Sequence, residues 1–155
     1  MKKIVLLGIM IMMSNLVVAD EQGLVSKKSQ HSVKVTLDRL ENVLKKKGIT
    51  IVTRWSHDEG AKKVGIPLRP TELLIFGNPK LGSHMFTSKQ TAGIDLPLKA
   101  LAWEDAKGQV WLTYNDPQYV ADRHGIEDRA EVVKKMTGAL DKMSDVATQA
   151  DASKK

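Results

Sequence analysis

Pro70-Thr71-Glu72-Leu73-Leu74-Ile75-Phe76-Gly77-Asn78-Pro79-Lys80 is the stretch that decides the fold of this chain. An apolar run halted by Gly-Asn-Pro reads as a strand with a defined end. Leu73 and Ile75 point one way and Leu74 and Phe76 the other, which predicts a strand buried on both faces. Further on, residues 98–103 and 110–114 flank Asp105-Ala106-Lys107-Gly108 and predict a hairpin. With Gly108 in the left-handed region, Trp103 falls opposite Trp111 as an aromatic cross-strand pair. Between these strands, Ser83 is expected to cap a short helix that ends near Gly93.

Upstream, residues 23–30 predict a first strand carrying Leu24 and Val25. Ser32 is a good N-cap for a helix over 33–47, where Val33, Leu37, Leu40 and Leu44 recur at helical spacing. Lys45-Lys46-Lys47 suit the negative end of that helix, and Gly48 closes it. Residues 49–55 predict a strand with Ile49, Ile51 and Trp55 on one side, and Asp58 is expected to cap a short helix through Val64. Downstream, Asp116-Pro117 starts a short helix that Gly125 ends. The last helix is predicted over 128–148, with Ala130, Val133, Met136, Leu140, Met143 and Ala147 as its apolar stripe. Its methionines read as core fillers. The expected fold is therefore α+β: strand, helix, four more antiparallel strands and a helix, with both long helices on one face of the sheet.

Residues 1–19 read as an address. Lys2-Lys3 precede the apolar run 4–13, and Val17-Val18-Ala19 ends in the small-residue pattern cut by signal peptidase. Cleavage is expected after Ala19, leaving one domain over 20–148 and a disordered tail over 149–155. The apolar run is shorter than the roughly 20 residues of a membrane span, so no stable membrane insertion is expected after cleavage. The expected location is the periplasm, with secretion as the lesser option. The chain has no cysteine, which excludes both lipoprotein attachment and disulfides, so burial alone must hold the fold. Loss of Lys2 and Lys3 takes the formal charge from +6 to +4, too small and scattered an excess to point to nucleic acid.

The order of four phrases resembles a known family. Phe76-Gly77-Asn78-Pro79-Lys80, Asp95-Leu96-Pro97-Leu98-Lys99, Trp103-Glu104-Asp105 and Tyr114-Asn115-Asp116-Pro117, followed by Arg123-His124-Gly125, resemble the domain-of-unknown-function family 302. The likeness runs from about Val33 to Ala147. It implies a TATA-binding-protein-like α+β fold and a homodimer. The family carries no established activity, so the likeness implies no catalytic residues. His84 departs from the family's usual Gly-Thr-turn-Leu-Met phrase, which weakens any shared ligand role for that loop.

No reaction centre is evident in the sequence. His57, Asp95 and His124 are the candidates for acid/base chemistry, in a small cofactor-free hydrolase or isomerase. The four histidines lack ligand spacing, so neither metal nor cofactor is expected. Gly77, Asn78, Lys80 and Ser83 form a loop before a helix start that can hold a small anionic ligand through backbone N–H groups and the lysine. It is not a Walker loop, because the lysine precedes the last glycine. In the hairpin, Ala100, Ala102, Val110, Leu112 and Tyr114 share one face and Leu101, Trp103, Trp111 and Thr113 the other. Two helices can cover only one face, so the second set is expected to meet a partner, a second copy of the chain. The reading reached from sequence is an exported, dimeric ligand- or partner-binding module without chemistry of its own.

Overall fold

The structure, a computed structural model, describes residues 22–150. The expected leader over 1–19 and the end of the expected tail, 151–155, lie outside the described residues. Strands β1 (Leu24–Ser29), β2 (Thr50–Ser56), β3 (Thr71–Gly77), β4 (Leu98–Glu104) and β5 (Val110–Asn115) form one antiparallel sheet in the order β1-β5-β4-β3-β2. The long helices α1 (Val33–Lys46) and α5 (Ala130–Thr148) lie together on one face of it. Helices α2 (His57–Lys63), α3 (Pro79–Ser88) and α4 (Pro117–His124) and a 3₁₀ helix (Gln90–Ile94) fill the connections. This is the α+β order read from the sequence, with the short helices inserted.

Local chemistry fixes the long elements. The Ser32 side chain accepts from the Val35 N–H and starts α1, and Gly48 follows it with a φ of 68°. Val33, Leu37, Leu40 and Leu44 are all buried against the sheet, as are Leu140, Met143 and Ala147 of α5, while Val133 and Met136 of α5 are buried against the short helices. Ala130 is exposed in the first turn of α5, because the apolar stripe engages only from Val133 onward. The β4–β5 turn closes on Asp105, whose Oδ1 accepts from the N–H of Lys107 (2.8 Å) and Gln109 (3.0 Å), with Gly108 at φ 77°. Trp103 and Trp111 then pair across the hairpin with ring centroids 6.4 Å apart.

The apolar residues form two cores. The larger lies between the sheet and the long helices, around Leu37, Leu40, Leu74, Phe76, Leu112 and Leu140. The smaller joins α3, the 3₁₀ helix, α4 and α5 through Met85, Ala92, Leu96, Ile126, Val133 and Met136.

Three expectations need correction. The register of β2 on β3 shifts between Ile51 and Thr53, which turns the rest of the strand over. Ile51 therefore packs on the core, while Trp55 points to the opposite face, 59% exposed. Arg54 takes the inner side and bonds Asp38 of α1 (2.6 Å) and Glu72 of β3 (2.7 Å). Secondly, α2 is capped by Ser56, which accepts from the Glu59 N–H; Asp58 instead accepts from the Ser56 hydroxyl and the Thr71 N–H, which bind the helix to β3. Thirdly, β3 is buried on one side only: Leu74 and Phe76 are core residues, whereas Leu73 and Ile75 are half-buried.

Lys27 anchors the edge strand. It is buried on the helix face of β1, and its Nζ donates to Asp141 Oδ1 (2.7 Å), Asp145 Oδ1 (2.6 Å) and the Asp141 carbonyl (2.8 Å). Burial alone would lower the pKa of this ammonium, but its hydrogen bonds to the two aspartates outweigh burial and hold it above the ordinary lysine value of 10.5. Lys27→Ala is expected to cost about 2 kcal/mol in urea melts, below the usual range for a broken buried pair because both aspartates reach water. Lys27→Met keeps the packing of the stem and should cost less. A raised folded-state pKa gives stability that is complete below 10.5 and fades as pH rises through the folded value, so the difference between wild type and Lys27→Met should shrink in strong alkali.

Candidate functional site

Three features of the fold have the character of a site: a cavity beside α3, a polar cluster around His124, and the sheet face away from the long helices. Each takes in residues singled out in the sequence.

The cavity, about 260 Å³, opens at the seam between the two cores. Phe76 of β3, Met136, Leu140 and Met143 of α5, Phe86 of α3 and Leu96 wall it, and the wall is almost wholly apolar. Thr50, Asn78 and Ser83 supply its few polar atoms. Gly77 also lines it, held close to Pro97, where an added Cβ would come within 3.3 Å of the proline Cβ. Gly77, Asn78 and Ser83 of the expected anion loop thus border one space, whereas Lys80 is exposed and outside its lining.

The expected helix start at Ser83 is wrong. Asn78 caps α3 with Pro79 in its first turn, and Ser83 lies inside the helix. Asn78 uses up the amides an anion would need. Its Oδ1 accepts from the Lys80 N–H (3.0 Å), its carbonyl accepts from the N–H of Leu81 and Gly82, and Pro79 has none to give. The loop is a self-capped helix end.

Two of the acid/base candidates come together and the third does not. His124, the last residue of α4, meets Asp95, which ends the 3₁₀ helix, with Nε2···Oδ2 at 2.7 Å and side chains 8% and 12% exposed. Its Nδ1 lies 3.1 Å from the Thr91 hydroxyl, and Arg123 donates to the other Asp95 oxygen at 3.2 Å. An ionised carboxylate only accepts, so Nε2 carries a proton and, in the neutral ring, Nδ1 accepts from Thr91. The cluster ties α4 to the 3₁₀ helix. Asp95 thus joins two elements, and Thr91 gave no sequence signal at all. His57 opens α2 at the far edge of the sheet, exposed and away from this cluster. No metal-holding group of His, Asp and Glu exists among the described residues.

The open face is laid out in rows by the strand register. Lys28, Trp111, Trp103 and Thr71 form one, and Ser26, Thr113, Leu101, Leu73 and Trp55 the next. Around the two indoles the polar atoms are used within the chain: Trp103 Nε1 donates to Thr113 Oγ1 (2.9 Å), which also meets Ser26 Oγ (2.8 Å), and Trp111 Nε1 donates to Asp105 Oδ2 (3.0 Å). That indole N–H, with the turn amides, holds the Asp105 carboxyl below the usual carboxylate range. What remains outward is ring and aliphatic surface, with Lys28 set over the Trp111 ring at 5.5 Å. After α2, Val64, Ile66 and Leu68 are 70%, 59% and 48% exposed. The face set predicted from alternation (Leu101, Trp103, Trp111 and Thr113) is therefore assembled as one surface, and Trp55 joins it because of the β2 bulge.

A crystal structure of an uncharacterized conserved DUF302 protein from Bacillus stearothermophilus superposes with a TM-score of 0.73 at 18% identity, covering 81% of this chain and 98% of that one, a likeness of fold. Proteins called fluoride-specific ion channel FluC 1 in Brucella suis biovar 1 and FluC 2 in Brucella melitensis biotype 1 are each 47% identical over 115 residues, 74% of this chain. That match takes in 45% and 43% of those proteins, so the chain spans less than half their length. The pattern of the family described as "Domain of unknown function DUF302" matches residues 25–143. With most of its length inside that match, the chain belongs to the DUF302 family.

Proposed function

We propose that this DUF302 protein is an exported binding module that works as a homodimer, pairing through the open face of its sheet. The observation that carries the reading is the continuous surface around Trp103 and Trp111, largely ring and aliphatic, with both indole N–H groups bonded inside the chain. Buried apolar surface drives association, and indole N–H groups already bonded inside the chain lose little on leaving water. Five strands about 4.8 Å apart and about six residues long give a footprint of roughly 500 Å². Stable pairs typically bury roughly 800 Å² per partner, so this face supplies the larger part of such an interface. A two-fold axis over the tryptophans sets like residues against like, the usual geometry of a homodimer. Light scattering at micromolar concentration should give twice the chain mass, and the periplasmic protein should begin at Asp20. A monomeric mass, or a chain retained in the membrane pellet, overturns the reading.

A second reading concerns the partner, and the 47% identity to proteins called fluoride-specific ion channels favours it. No helix among the described residues is long and apolar enough to cross a membrane. On this reading the present chain corresponds to the matched part of those relatives and acts alongside a channel of that kind. A deletion strain with wild-type fluoride tolerance would reject it.

A further inference from the structure

We propose that the cavity beside α3 is a binding site for a small, uncharged, apolar molecule. The site is distinct from the pairing face, and the proposal does not depend on the pairing: Phe76 and Phe86 line the cavity from the helix side of the sheet, whereas Trp103 and Trp111 lie on the other.

The chemistry of the wall sets the ligand class. No lining residue carries a charged side chain, and the nearest lysine of the segment, Lys80, stays outside. A buried ion would find no counter-charge there, which excludes phosphates and carboxylates as deep occupants. The amides at the start of α3 are engaged by Asn78, so the helix end offers an anion nothing further. Water fares poorly too, because it needs two to four polar partners and the deep wall of Phe76, Met136, Leu140 and Met143 has none. The Thr50 and Ser83 hydroxyls and the Asn78 amide border the space and can meet one hydroxyl or carbonyl on the ligand.

Size narrows the class further. An apolar cavity of about 150 Å³ accepts benzene. One of about 260 Å³ suits two fused rings or an aliphatic chain of about eight to ten carbons. The methionines on the wall adapt to either shape, because the thioether chain is unbranched and flexible.

The test uses the mature protein with 1-naphthol and 1-octanol as neutral probes, and octanoate and inorganic phosphate as charged ones at matched ionic strength. The neutral probes should raise Tm saturably and shift the backbone amide resonances of Gly77, Gly82 and Ala139, while the charged probes do neither. Ala139→Phe, which pushes a ring into the cavity from α5, should weaken naphthol binding at least tenfold. Should that variant fail to fold, Ala139→Leu and the amide shifts of the wild type carry the same decision. The proposal is overturned if neither neutral probe binds at millimolar concentration, if the shifts fall on the tryptophan face instead, or if octanoate and phosphate bind as well as the neutral probes.

Discussion

Trp111→Lys is expected to convert the proposed dimer to monomers at micromolar concentration, with an increase of 100-fold or more in the dissociation constant. Trp111 sits on β5 in the row of the open face nearest the hairpin turn, stacked on Trp103 and beneath Lys28. Aromatic anchors carry most of the energy in such interfaces, commonly about 2 kcal/mol or more each. A lysine there buries an unpaired charge beside a second one, and a two-fold axis doubles the cost. The substitution also removes the stacking and the bond to Asp105, which costs the monomer about 1–2 kcal/mol by itself. Leu101→Lys controls for this, since Leu101 lies in the neighbouring row of the same face. Light scattering should show both variants as folded monomers. Dimers from both would place the pairing elsewhere on the molecule.

The parts of this fold legible from sequence are those governed by neighbours in the chain. Ser32, Asp116-Pro117 and the glycines at 48, 108 and 125 act within one turn of their own position, and each does what its chemistry requires. Strict alternation sufficed to separate Leu112 from Trp111 and Ala102 from Trp103, because β4 and β5 pair without a break. The same rule failed in β2, where one bulged residue at Val52 inverts everything after it. Nothing in Thr50-Ile51-Val52-Thr53 marks the bulge, since any of these residues suits a strand. Capping failed for a related reason. Asn78 and Ser83 are both good N-caps, and the choice fell to Asn78 because Pro79 pre-sets the first helical turn.

Sites assembled from distant segments were the least legible. His124 and Asp95 are 29 positions apart and Thr91 is further still, so spacing could not join them. Their meeting depends on how α4 crosses the 3₁₀ helix, which the second core around Ala92, Leu96 and Ala121 decides. The cavity is harder again. It is a shortfall of volume where two cores meet, and no residue signals its own failure to fill space.

That shortfall makes Phe76→Ala the most destabilising single change to expect, about 4–5 kcal/mol in urea melts. Truncating a buried phenylalanine costs about 3–5 kcal/mol, depending on how far the surroundings collapse. Phe76 is 1% exposed in the main core and also forms a wall of the existing cavity. The new void would merge with space already there, leaving the rigid sheet little to collapse onto, so the upper end applies. Ile75, one residue earlier on the same strand, provides the contrast. It is half-buried on the open face in the row of Lys99 and Thr53, and Ile75→Ala should cost a monomer about 1 kcal/mol. In a dimer that pairs through this face, its cost must grow with protein concentration, because association adds to apparent stability by mass action. The Phe76→Ala cost has no such dependence. Melts of the two variants at 1 and 100 μM therefore separate the covered face of β3 from the pairing face, and concentration-independent losses in both would place Ile75 outside any dimer interface.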